Sequence, residues 1–268
     1  MKNFHLTWLG CAGFSLRMEG YQILVDPYVS RNPRARPRQV FTPDTLVDHL
    51  GAFSHIFISH GHFDHLMDIP PLLSQCPKAR VFCSHRAQKT LIRNGVDSEQ
   101  IQTMTPNSPI VEAGPITARA HGGRHIRFDL GLLVSTLVRT GRQLGNCLPL
   151  FYRYPCGPVL NWQFTLGDKN ILFAGSAGAS ENQLRALKKE DIHMFMVPLQ
   201  GHSKICDIAA RQVEILEPEQ VIPHHMDDFY PPISQFVDIS PFRLRVEKNC
   251  PRTRITVPHM NIPFQPWP

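Results

Sequence analysis

No apolar run in the chain approaches the ~20 residues that a membrane-spanning helix needs, so no span is expected. There is also no CxxC pair. The 7 cysteines, Cys11, Cys76, Cys83, Cys147, Cys156, Cys206 and Cys250, are odd in number and dispersed. That distribution suits reduced thiols better than a disulfide framework. The first strand begins by about Leu6 with no cleavable leader ahead of it, so the expected location is the cytoplasm. Internal repeats, low-complexity tracts and dividing linkers are absent. The 268 residues, 42% of them hydrophobic, are therefore read as one domain over 1–268 with a substantial core. Nothing in the sequence speaks to oligomeric state.

The formal net charge of +6 mildly favours a small anionic substrate. Only Arg31, Arg34, Arg36 and Arg38 cluster, in the Pro-rich loop SRNPRARPR. A solvated loop is the preferred reading over an anion-binding lid. Aromatics are not interleaved with these arginines, so a nucleic-acid partner is not expected.

Short apolar strands are predicted at 4–9, 14–17, 22–25, 55–58 and 80–83, and again at 116–120, 161–166, 171–174, 193–197 and 220–222. Helical patterns fall between them, at 44–50, 86–93 with Ser84 as N-cap, 181–189 opened by Ser180, and 205–216. Two comparable halves of strands alternating with helices predict two sheets packed face to face with helices outside. The segment 130–155 is read either as a helix running to Leu144 or as a loop over the site. Leu166-Gly167-Asp168-Lys169-Asn170 reads as a hairpin turn.

The densest chemistry is Ser59-His60-Gly61-His62-Phe63-Asp64-His65, directly after the strand-like His55-Ile56-Phe57-Ile58. Ligands crowded just past a strand end can converge above the sheet edge. His60 and His62 alternate on extended backbone and can grip one ion, while Asp64 and His65 turn the corner toward a second. Imidazole nitrogen with one carboxylate suits Zn²⁺ and tolerates Mn²⁺ or Fe²⁺.

The pattern HxHxDH, complete in His60, His62, Asp64 and His65, resembles that of the metallo-β-lactamase superfamily. Other segments are similar to its L-ascorbate-6-phosphate-lactonase-like branch of metal-dependent hydrolases. These are Thr7-Trp8-Leu9-Gly10-Cys11-Ala12-Gly13-Phe14, Ile23-Leu24-Val25-Asp26-Pro27-Tyr28, Val197-Pro198-Leu199-Gln200-Gly201-His202 and Val221-Ile222-Pro223-His224-His225. The branch usually carries a histidine where Cys11 stands. The resemblance implies an αββα sandwich with metals at the sheet edge. It implies a first metal on His60, His62 and a mid-chain histidine, for which His121 is preferred to His125 because it ends an alternating run. It implies a second metal on Asp64, His65 and His225, the last preferred to His224. It further implies that Asp64 holds the attacking water and carries its proton.

One departure concerns the aspartate that the family places between the metals, in a strand end reading AGD. Here the strand end reads Phe173-Ala174-Gly175-Ser176. Ser176 brings no charge between two mutually repelling dications, so one tight ion and an optional second are expected. His202 is a candidate acid for the leaving group. The leading reading is a metal-dependent hydrolase of lactones, carboxylic esters or related anionic metabolites. A phosphodiesterase or nuclease is the second, and a non-catalytic metal-binding module the third.

Overall fold

The computed structural model describes residues 3–141 and 144–267. A six-stranded sheet is built in chain order from β1 (Phe4–Gly10), β2 (Gly13–Met18), β3 (Tyr21–Val25), β4 (His55–Phe57), β5 (Arg80–Cys83) and β6 (Ile101–Thr103). A seven-stranded sheet follows, from β7 (Val111–Ala113), β8 (Ile116–Gly122), β9 (Leu160–Leu166), β10 (Lys169–Ala174), β11 (Met194–Pro198), β12 (Gln220–His224) and β13 (Arg254–Ile255). Each sheet starts as an antiparallel meander and continues as parallel strands, β3 to β6 in the first and β10 to β13 in the second. This is the repeated rhythm expected of two comparable halves.

The helices are α1 (Leu46–Leu50), α2 (Phe63–Leu66), α3 (Ile69–Gln75), α4 (His85–Arg93), α5 (Leu130–Thr140), α6 (Leu144–Arg153), α7 (Glu181–Lys188), α8 (Ile205–Leu216) and α9 (Ser240–Asn249). The core lies between the sheets. Phe57 of the first sheet meets Trp162 and Phe164 of the second edge-on, at centroid distances of 4.9 and 5.3 Å, in the tilted geometry that aromatic quadrupoles favour. Ser180 caps α7 through a full capping box with Gln183. Ser84 occupies the N-cap position of α4 without a side-chain bond to the helix. The segment 130–155 is largely helical, as α5 and α6, and a single helix to Leu144 is excluded because α5 ends at Thr140. No helix among the described residues is long and apolar enough to cross a membrane.

Candidate metal centre

Asp26, just past β3, is the pillar of the site. Its Oδ1 accepts the Ser59 N–H at 2.7 Å, and its Oδ2 accepts the Ser59 hydroxyl and lies 2.7 Å from His65 Nδ1. The Asp26 contact commits His65 Nδ1 and leaves Nε2 for the site. Gly175 makes this possible, since a Cβ there would lie 1.9 Å from Ser59 Oγ. Gly61 is equally constrained, because a Cβ would sit 2.4 Å from the Pro155 carbonyl. Its N–H donates to the Cys156 carbonyl at 2.8 Å, which ties the segment after α6 to the motif.

Two groups of donors result. In the first, His60, His62, His125 and Cys156 each offer one atom, and these atoms all lie within 4.8 Å of one another. His60 Nε2 and His62 Nδ1 are 3.1 Å apart. In the second, Cys11, Asp64 and His225 converge in the same way. His225 Nε2 lies 3.2 Å, and His65 Nε2 3.6 Å, from Asp64 Oδ2.

The electrostatics suit a cation. Burial drives His60 well below the usual histidine range, helped by His65, and takes His62 down to about 4. His125 is lowered for the same reason. These three imidazoles are neutral at pH 7 and keep lone pairs free. Burial opposes the charge on Asp64, but His65 and His225 outweigh it and hold the carboxyl well below its ordinary value. Burial also lowers His65, yet Asp26 and Asp64 more than reverse this. Among the thiols, burial and then Asp64 push Cys11 up, and Cys156 up to about 11. A nearby dication inverts that logic. The residues present therefore fit divalent metal, with nitrogen, carboxylate and sulfur donors at mutual distances natural for one coordination sphere.

Several sequence expectations are redirected. His121 is not in either group; its Nε2 pairs with Gln163 Oε1 at 2.7 Å. Ile116, Ala118 and Ala120 are the buried face of β8, so His121 points away from the core. His125, past the Gly122-Gly123 bend, reaches the cluster instead, with its ring 4.6 Å from that of His62. His225 adopts a left-handed backbone, φ 56°, that swings it to Asp64. His224 stays in the core, stacked on Phe173 at 5.1 Å. Ser176 Oγ accepts the Ile126 N–H at 3.0 Å and so anchors the segment carrying His125. His202 Nδ1 accepts the Lys204 N–H and lies 3.6 Å from Asp129 Oδ1, outside the cavity lining. It is not placed to act as the acid. Arg31 is buried in an ion pair with Asp227 at 2.6 Å, and the arginine-rich loop does not line the cavity. Cys156 was invisible to sequence reasoning, because it follows the least patterned stretch of the chain. Cys11 carried a signal, since it stands where the family has a histidine.

Two helix-flanked sheets with imidazoles and a carboxylate gathered from strand ends at one edge define a metallo-β-lactamase-type fold. A β-lactamase superfamily domain model matches residues 21–226, and the chain belongs to that superfamily, in the class of metal-dependent hydrolases. It is 28% identical over 257 residues to a UPF0173 metal-dependent hydrolase of Aeropyrum pernix, covering 94% of this chain and 93% of that protein. A second such protein, from Methanopyrus kandleri, is 25% identical over 244 residues, 91% of each chain. The solved structure of a metallo hydrolase from Ignicoccus hospitalis superposes over 98% of both chains with a TM-score of 0.69 at 18% identity, a likeness of fold.

Proposed function

We propose that the chain hydrolyses a carboxylic ester or lactone with an apolar body, using a divalent ion of which zinc is the expected one and manganese or iron the alternatives. The observation that carries this reading is a cavity of about 290 Å³ that joins the metal-ligand cluster to an apolar wall including Phe63, Phe128, Leu132, Leu133, Phe151 and Phe229. A lining of this kind with a few convergent polar groups favours substrates that bury hydrocarbon. Among the described residues, Arg139 is the one lysine or arginine in that lining, and it is committed elsewhere. Its Nε donates to the Pro232 carbonyl at 2.7 Å, Nη1 to Gln235 Oε1 at 2.6 Å and Nη2 to the Ile233 carbonyl at 2.8 Å. Among the described residues, a phosphodiester anion would thus find no uncommitted cationic side chain in the lining.

His60, His62 and His125, with Cys156 beside them, would hold the first ion. When bound, such an ion supplies a water of lowered pKa and polarises the carbonyl under attack. Asp64, ionised and aimed by His225, would accept the attacking water's proton on its carboxylate and return it to the leaving oxygen. The apolar wall binds the acyl or ring carbons and excludes bulk water from the reacting centre.

The test is a series of p-nitrophenyl esters of increasing acyl length, run beside matching lactones and bis-p-nitrophenyl phosphate. The expected result is kcat/KM rising by up to about fourfold per buried methylene, with the diester turned over poorly. Faster cleavage of the diester, or indifference to chain length, would overturn the reading.

A further inference from the structure

We propose that Cys11 is a ligand of a second metal ion, together with Asp64 and His225, and that its thiolate supplies the negative charge that Ser176 does not. This rests on reading the cluster as a metal centre. The three donor atoms form a triangle. Cys11 Sγ lies 3.6 Å from Asp64 Oδ2 and 3.5 Å from His225 Nε2, and the third side, Asp64 Oδ2 to His225 Nε2, is 3.2 Å. Tetrahedral zinc with ordinary bond lengths separates a sulfur from an oxygen or nitrogen ligand by about 3.5 Å, and an oxygen from a nitrogen ligand by about 3.3 Å. The triangle therefore matches one face of such a coordination sphere, and His65 Nε2 lies near Asp64 as a further donor.

The surrounding structure holds that thiol in place. Cys11 has a left-handed backbone, φ 51°, uncommon for a residue with a side chain. Both oxygens of Asp227 accept its N–H, at 3.0 and 3.1 Å, and Arg31 locks Asp227 from behind in a nearly inaccessible ion pair. The Cys11 carbonyl accepts from Trp8 Nε1 at 3.0 Å and from the His225 N–H at 2.8 Å. A buried ion pair and a left-handed residue are costly arrangements. Their joint effect is to hold Sγ facing Asp64 and to couple the Cys11 backbone to that of His225.

Charge balance favours the same ligand. Two dications a few ångströms apart repel strongly, and with serine at 176 the second group would otherwise hold Asp64 as its sole anion. Ligation through sulfur, with the thiol proton released to solvent, raises that to two. With a thiolate ligand, the second site would hold its ion more tightly than the serine at 176 alone implies.

The experiment is a titration of the metal-free protein with Co²⁺, followed by ligand-to-metal absorption in the near ultraviolet and by bound cobalt per chain. The wild type should take up two equivalents and show a sulfur-to-cobalt charge-transfer band with the second. Cys11→Ser should lose that band and bind the second equivalent at least about 10- to 100-fold more weakly, while keeping the first. Cys156→Ala should retain the second-equivalent band. Cys11→His, which restores the residue usual in the family, should bind two ions without it. Two equivalents bound with no band that depends on Cys11 would overturn the proposal while leaving the metal-centre reading intact. Failure to bind cobalt at all would overturn both.

Discussion

Asp64 is the residue on which the proposed binding and the proposed chemistry meet. It is excluded from the His60, His62, His125 and Cys156 group, yet its carboxylate is kept ionised by His65 and His225. Asp64→Asn should therefore leave the first ion bound while lowering kcat by about 10²–10⁴, the usual worth of a positioned proton acceptor. Metal analysis beside steady-state kinetics checks this, and parallel loss of the first ion would contradict it. At this scale much was legible. Four ligands in six residues after a strand could not be mistaken for scattered surface histidines. The choice of His121 failed on parity: with Ile116, Ala118 and Ala120 facing the core, an odd-numbered residue of β8 faces outward. The alternation that made His121 attractive was the reason to reject it, and Gly122-Gly123 marked where the chain could bend His125 inward. Cys156 had no comparable signal, because contacts between distant loops leave no local pattern.

Among the elements, α8 and α9 are joined by polar groups whose titration is measurable. Arg245 grips Glu214 with Nε to Oε1 at 2.7 Å and Nη2 to Oε2 at 3.1 Å, and Asn249 adds a bond at 2.7 Å. The Arg245 bonds lead in pulling the Glu214 carboxyl down from 4.5 to about 2. Because the folded value is the lower one, the stabilisation is fully present above pH 4.5 and is lost as pH falls toward 2. Glu214→Gln should flatten that part of the acid-unfolding curve and leave the region above pH 5 unchanged in slope; equal acid slopes in the two proteins would contradict this. Sequence patterning found α8, whose apolar face is broad, and missed α9, where only Phe242 and Val246 are buried among charged neighbours. The strands β6, β7 and β13 were missed because two or three residues are too few to show alternation. The helical character of 130–155 stayed open for a different reason. Leu130, Leu133, Val134, Leu137 and Val138 of α5 are exposed, and Leu132 and Leu133 line the cavity, so no single apolar stripe identified the element.

For the molecule as a whole, the architecture was the most legible level, since two similar runs of strands and helices leave few ways to bury both sheets' inner faces. The candidate metal centre joins these halves: His60, His62, Asp64 and His65 follow the first sheet's β4, while His125 and His225 follow the second sheet's β8 and β12. Ion binding should consequently stabilise the entire fold. Removing metal with a chelator is expected to lower Tm by roughly 5–10 °C relative to protein at 100-fold excess over Kd, recoverable by adding back Zn²⁺. An unchanged Tm would mean that the halves are not coupled through the site. Anomalous diffraction at the zinc edge from a crystal of the zinc-loaded protein would locate the ion itself. The expected peak lies at roughly 2.0–2.1 Å from one ring nitrogen each of His60, His62 and His125, with His121 still bonded to Gln163. A peak on His121, or none within reach of His60 and His62, would contradict it.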